Sequence, residues 1–289
     1  MRTTGPYHSL AYWCLAETDW KWDIDKICQV ALELGFDALE LVPPEFWPTV
    51  QAYGLRNALA ANGMPDPPFS KGVNNPRYHD EVISHSKEVI DRCPEFRVPN
   101  IIAFTGYRWR DATNPESEII PDAEAVTNSV KALRELATYS SGKGVTICLE
   151  HLNSRDDSHP MKGHPGYHGD DLDLCAEIVR QVGSEQVKLL FDIYHVQVMH
   201  GDVIRRLRKL APLLGHVHTA GNPGRGELDD RQEIYYPAIV EALHDIGYER
   251  FIGHEFIPTR NPMEGLMQAL EVCKATSLGE GSENVARRT

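Results

Sequence analysis

Short apolar runs alternate along the chain with amphipathic stretches. The runs are SLAYWCLA (9–16), DALELV (37–42), NIIAFTG (100–106), VTICLEHLN (145–153), VKLLFDIYH (187–195), LGHVHTAG (214–221) and RFIGHEFIP (250–258). Each reads as a strand buried on both faces. Between them lie DIDKICQVALELG, DAEAVTNSVKALRELATYSSGKG, DLDLCAEIVRQVG, DVIRRLRKLAPLLG and PAIVEALHDIG. Their apolar residues recur at helical spacing and several end on Gly, a common helix stop.

Strands alternating with helices predict a parallel sheet with right-handed crossovers. An open doubly wound sheet and a closed barrel both satisfy that pattern. No G-x-G-x-x-G follows the first strand, and polar residues gather at the C-terminal ends of many strands, which favours an α/β fold of the (β/α)8 TIM-barrel type. An eighth strand, third in order, is expected somewhere in residues 55–72, where no clear run is visible. With no composition break or linker, residues 1–276 read as one barrel domain and 277–289 as a flexible polar tail.

At 289 residues with 42% hydrophobic and 25% charged side chains, the chain can bury a core without disulfides. A formal net charge of −13 opposes adsorption to nucleic acid or anionic lipid, so neither is an expected partner. Cys14, Cys28, Cys93, Cys148, Cys175 and Cys273 lie far apart without C-x-x-C spacing, which predicts reduced, buried thiols and a cytoplasmic setting. No secretory leader or apolar span is evident at the N-terminus. A homo-oligomer is left open.

Four late strands each end on a residue able to bind a hard divalent cation: Glu150, Asp192, His218 and Glu255. In a barrel those ends converge on one mouth, so residues distant in sequence meet around one ion. Three carboxylates with one imidazole suit Mn²⁺, Mg²⁺ or Co²⁺ better than a structural zinc. Any one of these residues alone would read as a strand cap, but repeated ionised groups within apolar strands are costly without a common partner.

His195 lies three residues beyond Asp192 and reaches the same pocket only if the strand has ended there. It is either substrate-binding or an orienting group. His151, His216 and His254 are expected to face the helices. The loop at 153–170 is long, polar and placed to act as a lid, with His159, His164 and His168 read as solvated. In TAGNPGRGELDD, Arg225 offers a planar fork for a carboxylate or phosphate, or else lies on a solvent-facing turn. Trp20, Trp22, Arg108, Trp109 and Arg110 are expected to pack beneath loops.

At these residues the chain resembles the xylose-isomerase-like TIM-barrel superfamily of sugar phosphate isomerases and epimerases, and within it the hydroxypyruvate isomerase family. The resemblance rests on Glu150, Asn153, Arg155-Asp156 and, past an apparent insertion, Pro165-Gly166-Tyr167. It continues through DIYHVQVMHGD (192–202), PGRGE (223–227) and GHEFIP (253–258). It implies an isomerase with Glu150 and Glu255 as acid/base pair and metal ligands, Asp192 and position 218 completing the metal site, and Asn153, His195 and Arg225 at a small hydroxy-oxo acid substrate. Such a site works through an enediolate.

Two departures bear on the substrate. His218 stands where hydroxypyruvate isomerases usually carry Gln, and His is what the related ketose 3-epimerases use. The region after strand three reads MPDPPFSKGVNNPRY instead of the family's Gly-Glu-Arg-Gly-like loop. A ketose 3-epimerase is therefore the close alternative. A non-catalytic sugar- or acid-binding barrel is a third, though it predicts a missing carboxylate. Endonuclease IV, in the same superfamily, would need more histidines at the early strand ends, and NIIAFTG offers none.

Overall fold

A computed structural model describes residues 6–274. The proposed tail at 277–289 lies outside them. The strands are β1 (Tyr7–Ala11), β2 (Ala38–Glu40), β3 (Arg56–Asn57), β4 (Asn100–Phe104), β5 (Thr146–Glu150), β6 (Val187–Asp192), β7 (Leu214–Thr219) and β8 (Phe251–His254). All pairings are parallel, in the order β3-β2-β1-β8-β7-β6-β5-β4. A parallel bridge between Ala60 and Ile101 joins the two ends of this curled sheet, with the Ala60 amide donating to the Asn100 carbonyl at 2.9 Å and Ile102 to Ala60 at 2.9 Å. The fold is a (β/α)8 barrel.

The helices are α1 (Trp13–Ala16), α2 (Ile24–Leu34), α3 (Trp47–Ala52), α4 (His79–Phe96), α5 (Asp122–Ser140), α6 (Leu172–Val182), α7 (Ile193–Met199), α8 (Val203–Leu210), α9 (Tyr236–Asp245) and α10 (Pro262–Lys274). Their ends follow local chemistry. Asp23 caps α2 by accepting from the Lys26 amide at 2.8 Å, and Gly35 closes it at φ +80°. Asp171 and Gly183 do the same for α6. No helix among the described residues is long and apolar enough to cross a membrane.

Three elements differ from the sequence reading. The first strand stops at Ala11, and Trp13–Ala16 coils as α1 instead of extending the strand. The strand expected across 187–195 ends at Asp192, whose carboxylate caps α7 by accepting from the His195 amide at 3.1 Å. The missing strand is only two residues of ladder, too short to show alternation, and continues as extended chain to the bridge at Ala60.

Alternation divides the strand residues between two environments. Outward residues such as Leu10, Leu39, Ile101, Leu149, Leu189, Val217 and Ile252 join the main core beneath the helices. Inside the barrel, Leu59, Ile102, Phe104, Cys148 and Leu190 form a smaller apolar cluster on one side. The other side is polar, with Ser9, Glu40 and His216 buried below the strand ends. All six cysteines are free and buried.

Candidate active site

Glu150 and Asp192 end β5 and β6, His218 lies one residue from the end of β7, and Glu255 directly follows β8. Ligand atoms of all four lie within 4.8 Å of one another. His218 Nδ1 is 2.8 Å from Glu255 Oε2, 3.4 Å from Glu150 Oε1 and 4.0 Å from Asp192 Oδ2. None of the four is more than 5% exposed.

Among the described residues, Glu150 Oε1, both ring nitrogens of His218 and Glu40 Oε1 have no aligned hydrogen-bond partner despite their proximity. Buried polar atoms are rarely left so. Oxygen donors crowded around one imidazole nitrogen, without forming hydrogen bonds to it, fit a shared cation, and the donor set is that of a hard divalent metal.

The electrostatics are uneven. Burial pushes the Glu150 carboxyl up to about 7, with neighbouring Glu255 and Asp192 adding to the rise against the pull of His218. Burial also opposes ionisation of Glu255, but Arg225 and His218 outweigh it and hold that carboxyl at about 2. For His218 burial favours the neutral ring, yet Glu255, Glu40 and Glu150 together raise it well above the ordinary imidazole range.

Arg225 is 2% exposed, which removes the solvent-facing alternative. One guanidinium nitrogen donates to Glu255 Oε2 at 2.5 Å and Asp192 Oδ2 at 3.4 Å, and the other to the Met161 carbonyl at 2.6 Å. Its φ of +55° is a conformation that non-glycine residues seldom adopt. The Ile257 amide holds the Arg225 carbonyl at 2.7 Å, fixing this turn beside β8.

His195 is fully buried by the turn into α7. Its Nδ1 accepts from the Asn153 amide at 3.1 Å and from the Asn153 side chain at 2.7 Å, so in the neutral ring Nε2 carries the hydrogen. That Nε2 lies 3.6 Å from Asp192 Oδ2 and has no hydrogen-bond partner among the described residues. Burial, then Arg225, keeps the ring neutral by lowering its pKa well below the usual value. Asn153 sits behind His195: its side-chain Nδ2 also donates to the Lys162 carbonyl at 2.7 Å, and its Oδ1 accepts from the Asp156 backbone amide at 3.0 Å.

The inserted segment around 157–164 forms a strap across the mouth. Met161 packs against the Trp13–Ala11–Cys14 cluster with Ile257, while the Lys162 carbonyl accepts from Tyr194 Oη at 2.9 Å. Gly163 is required here, since a Cβ would lie 2.2 Å from the Asp156 carbonyl oxygen. His159 is exposed as expected, but His164 and His168 are not solvated: both are 4% exposed. His164 lies 4.2 Å from the Phe69 ring, between centroids, and His168 bonds Asn74 and Asp122.

His216 also departs from expectation. Two residues before His218, it shares that residue's face of β7 and points into the barrel, where its Nε2 donates to Glu40 Oε2 at 2.9 Å. His151 and His254, odd in register, do face outward, to the Asp170 carbonyl and to His8 and Thr219. Arg108 and Arg110 pair with Asp170 and Glu124, and Trp109 packs against Tyr107, so these brace loops. Trp22 is buried in the core, and Trp20 is partly exposed with its indole on the Pro258 carbonyl.

Sequence reasoning missed Trp13 and Glu40. Trp13 Nε1 donates to Glu255 Oε1 at 2.7 Å. Nothing in the apolar run SLAYWCLA marks it. Glu40 carries the same signal as Glu150, Asp192 and Glu255, a lone carboxylate at the end of an apolar strand.

A 2-oxo-tetronate isomerase of Cupriavidus necator is 28% identical over 249 residues, covering 84% of this chain and 90% of the relative. A putative hydroxypyruvate isomerase of Homo sapiens is 33% identical over 144 residues, about half of each protein. The D-psicose 3-epimerase of Clostridium cellulolyticum H10 shares the fold at a TM-score of 0.68 and 19% identity, covering 94% of this chain and 93% of that one. Residues 28–276 match the model of the xylose isomerase-like TIM barrel, and the chain belongs to that family.

Proposed function

We propose that this isomerase- or epimerase-type enzyme is a metal-dependent isomerase of small hydroxy-oxo acids, with hydroxypyruvate or a 2-oxo-tetronate as substrate. The observation that carries the reading is the convergence of Glu150, Asp192, His218 and Glu255, with Glu150 Oε1 and His218 Nδ1 close together yet outside any aligned hydrogen bond. The similarity to a 2-oxo-tetronate isomerase over 84% of this chain and 90% of that protein supports the substrate class.

Those four side chains would hold one divalent cation, Mn²⁺, Mg²⁺ or Co²⁺. When bound, such an ion supplies Lewis acidity that acidifies the C–H between a carbonyl and a hydroxyl and stabilises the enediolate. Glu150, at the end of β5 among the proposed ligands, would exchange the proton with carbon. Glu255, kept ionised by Arg225 and His218, stands opposite as its acid/base partner.

The Nε2–H of His195 is an unused buried donor for a substrate oxygen, and Asn153 keeps it in that tautomer. Arg225 offers an unpartnered Nε and a fixed positive charge for the substrate's carboxylate. Unpaired buried cysteines favour a reducing compartment, the cytoplasm.

His218 favours a second reading, a ketose 3-epimerase. The two differ in where the proton returns: to the neighbouring carbon for isomerisation, to the opposite face of the same carbon for epimerisation. Proton NMR in D₂O, with Mn²⁺-reconstituted and then Mg²⁺-exchanged protein, separates them. Deuterium entering hydroxypyruvate with tartronate semialdehyde appearing supports the isomerase. Exchange at a ketose carbon with both oxo acids inert supports the epimerase, and no exchange in any substrate defeats both.

A further inference from the structure

Glu40 is buried completely inside the barrel and belongs to none of the roles above. A carboxylate in such a place is costly to desolvate unless it is well paired, and an apolar residue of its size would often stabilise the barrel as well or better. Its surroundings are built for it. Ser9 Oγ donates to Glu40 Oε2 at 2.5 Å, and His216 Nε2 donates to the same oxygen at 2.9 Å. The other oxygen, Oε1, approaches His218 Nε2 to 2.9 Å as an ion pair without the alignment of a hydrogen bond, and neither atom has another partner among the described residues. Gly253 makes the space: a Cβ there would lie 2.2 Å from Glu40 Oε1.

We propose that Glu40 is the positioning residue that aims His218 at the carboxylate cluster. Oε2 is anchored by two donors, which leaves Oε1 directed at the back of the His218 ring. A carboxylate only accepts, so a ring nitrogen 2.9 Å from it is satisfied by carrying hydrogen, after a small rotation into alignment. That assigns Nε2 as N–H and leaves Nδ1, on the side of Glu150, Asp192 and Glu255, as the nitrogen that binds a cation. Ser9 and His216 act one step further back, from β1 and β7, by holding Glu40 still. Four strands thus fix one imidazole: β1 through Ser9, β2 through Glu40, β7 through His216 and His218, and β8 through the absent side chain of Gly253.

This inference rests on the proposed metal site, and its test keeps the two apart. Metal-free wild type, Glu40→Gln and Ser9→Ala are titrated with Mn²⁺ by calorimetry, and the Co²⁺-loaded proteins are compared by visible absorption. Thermal unfolding without metal reports folding. Wild type should bind Mn²⁺. Folded Glu40→Gln should bind it about 10- to 100-fold more weakly and change the Co²⁺ spectrum, because the ring is no longer held by a pure acceptor. Equal Mn²⁺ affinity and an unchanged Co²⁺ spectrum in folded Glu40→Gln would overturn the role of Glu40. If Glu40→Gln does not fold, Ser9→Ala decides: weaker binding supports the anchoring scheme, and unchanged binding overturns it. A wild-type protein that binds no divalent cation defeats the proposed function instead.

Discussion

Replacing Trp13 by Phe removes one hydrogen-bond donor from Glu255 while keeping an aromatic ring over the site. The bond lost is 2.7 Å long, between groups 7% and 5% exposed, and its acceptor is ionised. A hydrogen bond to a buried charged group is worth about 1.5–3 kcal/mol. Expressed as a pKa change, that is roughly 1–2 units. Glu255 would therefore rise from about 2 and still be ionised at pH 7, so the variant bears the loss without a change of charge.

The sign of the pH dependence follows. A carboxyl with a depressed pKa in the folded state contributes stability above its unfolded pKa and loses it as pH falls toward the folded value. The Trp13 contribution is thus full at pH 7 and shrinks only under acid conditions. Ring size changes packing as well, so a double-mutant cycle with Glu255→Met, which leaves no acceptor for the indole, isolates the bond. Urea unfolding at pH 7 in the presence of chelator should give a coupling energy of about 1.5–3 kcal/mol. A coupling below about 0.5 kcal/mol, the level at which independent sites already add, would refute the claim that the indole holds the carboxylate.

Other expectations bear on the chemistry. Glu150→Gln and Glu255→Gln should each lower turnover of the metal-loaded enzyme by about 10²–10⁴-fold, the range for loss of a general acid or base; intact turnover in both would end the two-carboxylate mechanism. Asp192→Ala and His218→Ala should lose Mn²⁺ affinity in calorimetry, and parental affinity in both would dismiss the proposed ligand set. Gly163→Ala, which drives a methyl into the Asp156 carbonyl, should loosen the strap, seen as faster proteolysis near residue 160 and a raised KM; unchanged values would mean that the strap does not cover the entrance. Because His218 is raised well above the usual imidazole range in the metal-free protein, Mn²⁺ binding should release protons and weaken as pH falls. Calorimetry in buffers of different ionisation enthalpy measures that release, and none at pH 7 would contradict it.

The barrel was legible because seven of its strands are apolar runs separated by helices with ordinary start and stop signals. The two-residue β3 was not, since a period of two cannot show itself over two residues. Convergence of Glu150, Asp192, His218 and Glu255 followed from equivalent positions at strand ends. The supporting residues were harder for distinct reasons. His216 was assigned outward although residues two apart on a strand share a face, so its inward position was readable from spacing alone. Trp13 was hidden because the chain leaves the strand at Ala11, and local sequence does not say where an apolar run changes from extended to helical. His164 and His168 are polar residues in a polar loop; what buries them is contact with Phe69 and with Asn74, from a segment some ninety residues earlier.

Charge explains why so acidic a centre can be buried. Glu40, Glu150, Asp192 and Glu255 are four carboxyls withdrawn from water, against one guanidinium, Arg225, and one imidazole, His218. Without metal the excess is relieved by protons: His218 is driven toward its charged form and Glu150 toward its neutral one. A divalent cation brings two positive charges to the same place. If it displaces the His218 proton and the proton carried by Glu150, the net charge of the cluster is unchanged by the exchange. Metal binding then swaps protons for an ion without adding buried charge, and the large solvation penalty for a new charge in the interior does not arise.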